Sequence, residues 1–105
     1  MSARYRENQV PSQVGKTAFV TGANTGIGFD TARVLAEKGA RVLLGCRDEQ
    51  RALKAMTAIR ARAPRASLAW VELDLTSLAS IRSASEQVIA EGQLDLLVNN
   101  AGVMV

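Results

Sequence analysis

Thr17-Ala18-Phe19-Val20-Thr21-Gly22-Ala23-Asn24-Thr25-Gly26-Ile27-Gly28 is the stretch that decides the fold. Thr17 to Thr21 is a short apolar run that stops at Gly22, as a buried strand does. Gly22 to Gly28 is a glycine-rich turn. Residues from about Ile27 to Lys38 suit a helix, with Ile27, Thr31, Val34 and Leu35 toward one face and Gly39 as its stop. A strand that passes through glycines into a helix N-terminus is a place for an anion. Backbone N–H groups converge there, the helix dipole favours negative charge, and the missing side chains let a diphosphate approach the main chain. The hydroxyls of Thr21 and Thr25 and the amide of Asn24 can stitch the loop or meet phosphate and ribose oxygens. The spacing is Gly-x-x-x-Gly-x-Gly. It is neither Gly-x-Gly-x-x-Gly nor a P-loop, since no Gly-Lys-Ser/Thr follows. A tight glycine turn with no ligand is the competing reading.

Outward from this stretch the pattern repeats. Arg41 to Cys46 reads as a second strand. Asp48 can cap a helix carrying Ala52, Met56, Ile59 and Ala63 that halts at Pro64. Ser67 to Leu73 is a third strand. Ser77 can cap a third helix, with Leu78, Ile81, Ala84, Val88 and Ile89 at helical spacing and Gly92 at its end. Leu94 to Asn99 is a fourth strand. The strands are apolar throughout rather than alternating, as in a parallel sheet covered on both faces. Right-handed crossovers turn βαβαβαβ into a doubly wound sheet. The expected fold is α/β and Rossmann-like, its N-terminal portion only, with strand order 3-2-1-4. A flavodoxin-like sheet is the alternative, and the glycine motif argues against it. Residues 1–14 are polar and aperiodic and read as a flexible lead-in. Residues 15–105 read as a dinucleotide-binding domain incomplete at its C-terminal end.

The chain has 105 residues, a net charge of +3, one cysteine and no histidine. That length suits one small domain. The basic excess is spread out and almost without aromatic interleaving, which argues against a nucleic-acid partner. Cys46 has no disulfide partner, and no ligand cluster for zinc exists. The polar N-terminus has no run fit for a signal peptide or membrane anchor, so a soluble, cytoplasmic chain is expected.

Two motifs carry a family resemblance. Thr21-Gly22-x-x-x-Gly26-x-Gly28 resembles the nucleotide loop of the short-chain dehydrogenase/reductase family. Asn99-Asn100-Ala101-Gly102 resembles that family's Asn-Asn-Ala-Gly element at the end of strand four, at the expected separation. The resemblance covers roughly Lys16 to Val105. It implies an oxidoreductase that moves hydride between a nicotinamide dinucleotide and a carbonyl or alcohol. It also implies cofactor contacts at Gly22, Asn24, Thr25, Gly26, Ile27, Gly28, Asn99, Ala101 and Gly102. Asp74-Leu75 matches the position whose carboxylate accepts a bond from the adenine amino group. Asp74 can equally serve the following helix N-terminus.

The residue after strand two decides the cofactor. An NAD site places an acid there for the ribose 2′-OH. Here Cys46 is followed by Arg47, whose guanidinium can pair with a 2′-phosphate. NADP(H) is therefore favoured over NAD(H). A surface ion pair of Arg47 with Asp48 or Glu49 is the bland alternative, and Cys46 reads as a gap-filler. Gly45-Cys46-Arg47-Asp48 is similar to the retinol-dehydrogenase-like branch, which implies a small, lipophilic substrate and leaves room for a homo-oligomer in a full-length protein. The family's catalytic Ser and Tyr-x-x-x-Lys are not found. The only tyrosine is Tyr5, and Ser77, Ser80, Ser83 and Ser85 belong to the third helix. No catalytic residue is named, and the chain alone is expected to be inactive. A non-catalytic nucleotide-binding module or a truncated, inactive product is the alternative. A bare, apolar fourth strand would also make the free chain prone to self-association.

Overall fold

A computed structural model describes residues 10–24 and 26–100. Among the described residues seven elements alternate: β1 (Thr17–Thr21), α1 (Gly26–Glu37), β2 (Arg41–Cys46), α2 (Glu49–Arg62), β3 (Ser67–Glu72), α3 (Leu78–Ala90) and β4 (Leu96–Asn99). All pairings are parallel and the sheet order is β3-β2-β1-β4. The doubly wound, Rossmann-like arrangement expected from the sequence is the one observed. β1 and β2 agree with the expected bounds to the residue. β3 stops at Glu72, one residue early, and β4 starts at Leu96, two residues late.

Local chemistry sets the helix ends. Gly39 lies at φ 100°, a left-handed value that glycine adopts at little cost. Its N–H donates to the Ala36 carbonyl at 3.0 Å, and the Ala40 N–H donates to the Leu35 carbonyl at 3.0 Å. This paired closure satisfies carbonyls that the end of α1 would otherwise orphan. Asp48 caps α2 as expected: its Oδ1 accepts from the N–H groups of Gln50 and Arg51 at 2.8 and 3.3 Å. Ser77 caps α3 by accepting from the Ser80 N–H at 3.1 Å. Each such cap stabilises its helix by about 1 kcal/mol.

Alternation along the strands divides the core in two. Val20, Val42, Leu44 and Leu68 face α1 and α2 and pack with Ala32, Ala36, Ala55, Met56 and Ile59. Phe19, Leu43, Val71 and Leu73 face α3 and pack with Ala84 and Val88. Two expected helix faces need correction. Ile27 is exposed on α1, whose buried positions are Gly28, Ala32, Arg33 and Ala36; Phe29 and Leu35 only flank that core. Small side chains let α1 lie close to the sheet, so its buried stripe runs through the alanines rather than through the largest residues. Leu78 and Ile89 on α3 are likewise exposed, leaving Ala84 and Val88 to make the buried contact. Next to β1, Gln13 is buried, and its N–H donates to the Lys38 carbonyl at 2.8 Å.

Candidate functional site

The C-terminal ends of β1, β2 and β3 open onto one cleft of about 880 Å³. This is the crevice where open parallel sheets receive ligands, and the volume suits a drug-sized or larger molecule. Its lining includes Gly22 and Asn24 after β1, Cys46 at the end of β2 with Arg47 and Asp48 after it, and Asp74 and Leu75 after β3.

The glycine loop is held by the main chain. Gly22 and Gly26 adopt φ 66° and 58°, values that L side chains rarely tolerate. The Gly22 and Ala23 N–H groups donate to the Gly45 carbonyl at 2.9 and 3.4 Å, which ties the loop to the end of β2. Gly28 is required by contact. A Cβ there would lie 2.0 Å from the Gly22 carbonyl oxygen, so the first turn of α1 can press against the loop only without a side chain. A Cβ on Gly26 would meet nothing within 4 Å. Gly26 and Asn24 instead border a neighbouring groove with Arg51 and Lys54.

Thr21 links this loop to β4. Its hydroxyl donates to Asn99 Oδ1 at 3.0 Å and accepts from the Asn100 N–H at 3.1 Å. Of the two roles open to the Thr21 hydroxyl, the stitching one is occupied. Asn99 therefore joins strand ends and is not among the residues lining the cleft.

Arg47 is exposed at the cleft, and no carboxylate among the described residues lies within ion-pair distance of it. The pairing with Asp48 or Glu49 does not form. Asp48 is occupied by the α2 cap and by Arg51, whose Nε lies 3.9 Å from Asp48 Oδ2. Asp74 lines the cleft but does not cap α3, a place taken by Ser77. Its Oδ1 accepts from the Thr76 N–H and hydroxyl at 2.9 and 2.6 Å, ahead of that cap. Those Thr76 bonds, with the charge of Arg47 adding to them, hold the Asp74 carboxyl below the usual carboxylate range. The carboxylate has about four acceptor sites, so two remain beyond the Thr76 bonds. Burial pushes the Cys46 thiol up, which keeps it protonated and unreactive.

The cleft thus brings together Gly22, Asn24, Arg47, Asp74 and Leu75. Ile27, Gly28 and Asn99 stand outside its lining, and Thr25, Ala101 and Gly102 lie outside the described residues. Gly45, Arg51, Glu72 and Thr76 also line it and were not anticipated. Arg51 sits four residues after Arg47, a spacing that signals proximity only once the second helix is known to start between them. Gly45 had a signal, a glycine in an apolar strand run. A Cβ there would lie 2.8 Å from the Phe19 ring. The start of the glycine loop, an unpaired guanidinium and free carboxylate acceptors thus share one cleft, and groups of these kinds can meet the anionic and hydrogen-bond-donating parts of a nucleotide.

Residues 16–105 match the family model described as short chain dehydrogenase. The chain is 45% identical over 100 residues to a short chain dehydrogenase/reductase, dpchH, of Colletotrichum higginsianum, covering 91% of this chain and 25% of that protein. It is 46% identical over 98 residues to retinol dehydrogenase 12 of Mus musculus, covering 92% and 30%. It superposes on L-sorbose reductase from Gluconobacter frateurii, solved with NADPH and L-sorbose, with a TM-score of 0.78 and 29% identity over 90% of this chain and 36% of that one. The chain spans between a quarter and a third of the curated relatives it matches.

Proposed function

The chain belongs to the short-chain dehydrogenase family, and from that premise we propose that it is the cofactor-binding part of an NADP(H)-dependent carbonyl/alcohol oxidoreductase. The observation that carries the cofactor choice is the unpaired Arg47 at the cleft, following a strand that ends in Cys46. An acid at that point would hold a ribose 2′-OH and repel a 2′-phosphate. Asp48, the nearest acid, is committed to the cap of α2. Arg47 then takes the 2′-phosphate, with the Arg51 guanidinium one helical turn away. Gly22, Asn24, Thr25, Gly26, Ile27 and Gly28 form the diphosphate loop. Asp74 and Leu75 hold the adenine side, and Asn99, Ala101 and Gly102 the strand-four side.

A nicotinamide dinucleotide held by these residues would supply the hydride chemistry. Residues 1–105 contain no Tyr-x-x-x-Lys, and no acid–base role is proposed for any of them. Likeness to retinol dehydrogenases supports a lipophilic carbonyl or alcohol substrate for the whole protein. Among the described residues no helix is long and apolar enough to cross a membrane. A single, buried thiol supports the proposal of a reducing, cytoplasmic setting.

Calorimetric titration with NADPH and NADH tests the reading. Arg47→Ala should weaken NADPH by about tenfold or more, the worth of a charge-assisted bond, and leave NADH within about twofold. An equal loss for both nucleotides would sink the NADP(H) preference. Binding of neither by the folded chain would sink the cofactor reading for these residues.

A further inference from the structure

Arg47 makes no hydrogen bond or ion pair among the described residues, and the backbone on either side of it sets the direction of its Cα–Cβ bond. On one side stands Cys46, the last residue of β2. Its carbonyl oxygen accepts two bonds, from the Leu73 N–H at 3.0 Å and from the Trp70 indole N–H at 3.0 Å. The Leu73 bond continues the β2–β3 ladder, in which Cys46 pairs with Glu72. The Trp70 bond is additional. Trp70 pairs with Leu44, and its indole reaches two residues along β2 to the same oxygen. A carbonyl oxygen has two lone pairs, and both are used. The peptide plane joining Cys46 to Arg47 is therefore pinned from the strand side. On the other side, the Cys46 thiol donates to the Asp48 carbonyl at 3.6 Å and Asp48 caps α2. The ring of Trp70 packs on the core beneath α1 and α2, so its N–H donates from a firmly seated base.

We propose that Trp70 is a positioning residue for 2′-phosphate selectivity: its indole N–H, by holding the Cys46 carbonyl, fixes the direction in which Arg47 leaves β2. The inference rests on the NADP(H) reading above. Trp70 touches neither nucleotide nor substrate and acts through Arg47.

Trp70→Phe keeps an aromatic body and removes the donor. Titrated with both nucleotides, it should bind NADPH about three- to tenfold more weakly, the range of one ordinary hydrogen bond, with NADH within about twofold. In an Arg47→Ala background the same change should leave NADPH affinity unaltered, because the two residues then act on one contact. Equal weakening for both nucleotides, or an undiminished effect without Arg47, would overturn the proposal. A second measurement needs no variant. The sequence has one tryptophan, so one indole N–H resonance reports on this bond; saturation with NADPH should shift it more than saturation with NADH, and equal shifts overturn the proposal. A chain that does not prefer NADPH at all, and whose affinities are unmoved by Arg47→Ala, instead overturns the premise on which it rests.

Discussion

The two faces of the sheet are built differently. Toward α1 and α2, the strand side chains Val20, Val42, Leu44 and Leu68 meet Ala32, Ala36, Ala55, Met56 and Ile59, and two helices cover them. Toward α3, among the described residues, Phe19, Leu43, Val71 and Leu73 meet Ala84 and Val88, with Ala69 and Ile81 partly buried around them. On that side Leu97, which pairs with Phe19 in the sheet, stays 64% exposed. One face is a closed core made by close approach of small residues, and the other is half covered. The cleft draws on both. Its glycine loop and Arg47 are seated by the closed side, and Asp74 sits at the entrance to α3.

Paired truncations test that contrast most strongly. Ile59→Ala, in the closed core, should cost about 3–4 kcal/mol. Val88→Ala, beneath α3, should cost about 1–2 kcal/mol, little more than the transfer of its methyl groups. Denaturant midpoints measure both, and equal losses would break the comparison. A smaller effect is expected where the faces share an end. Thr21→Val removes the hydroxyl between Asn99 and Asn100 and should cost about 1–2 kcal/mol. Amide exchange should then quicken in β4 while β2 and β3 keep their protection. Uniform loss across the sheet would show that the link is not local.

The smallest effect sharpens the α3 side. Arg41, at the start of β2, pairs with Glu91 after α3 through Nε at 2.6 Å and Nη2 at 3.0 Å. The Arg41 bond holds the Glu91 carboxyl below its ordinary range. A carboxyl lowered on folding stabilises the fold above its unfolded pKa, and that contribution is lost as pH falls through the folded value. Both side chains are partly exposed, so the pair is worth about 0.5 kcal/mol. Glu91→Gln should lower the melting temperature slightly at neutral pH, and its difference from the unaltered chain should vanish on acidification below the carboxylate range. A difference that persists in acid would assign the effect to packing.

Strand runs, caps and glycine stops were legible because each is a local signal. Thr17 to Thr21, Asp48, Ser77 and Gly39 stand in the structure as their residue types require. Helix faces were less legible. Periodicity weights large side chains, so on α1 Ile27 was named and Ala32 was not, and on α3 Leu78 and Ile89 were named alongside Ala84 and Val88, which alone are buried. The site divides in the same way. Arg47 and Asp74 could be found from their offsets to strand ends. Trp70 could not, because its bond to Cys46 exists only once the β2–β3 register is set.

The Thr21 link also has a kinetic meaning. It joins residues 78 apart, whereas Arg41 and Ser67, at the start of the β2–β3 pairing, are 26 apart. A loop three times longer costs about 1 kcal/mol more to close, and such distant contacts form late. The cleft lined from the ends of β1, β2 and β3, with Arg47 and Asp74, is therefore expected to assemble before β4 docks. Unfolding should retrace that order, with β4 peeling away first and the β2–β3 end of the cleft the last to dissolve.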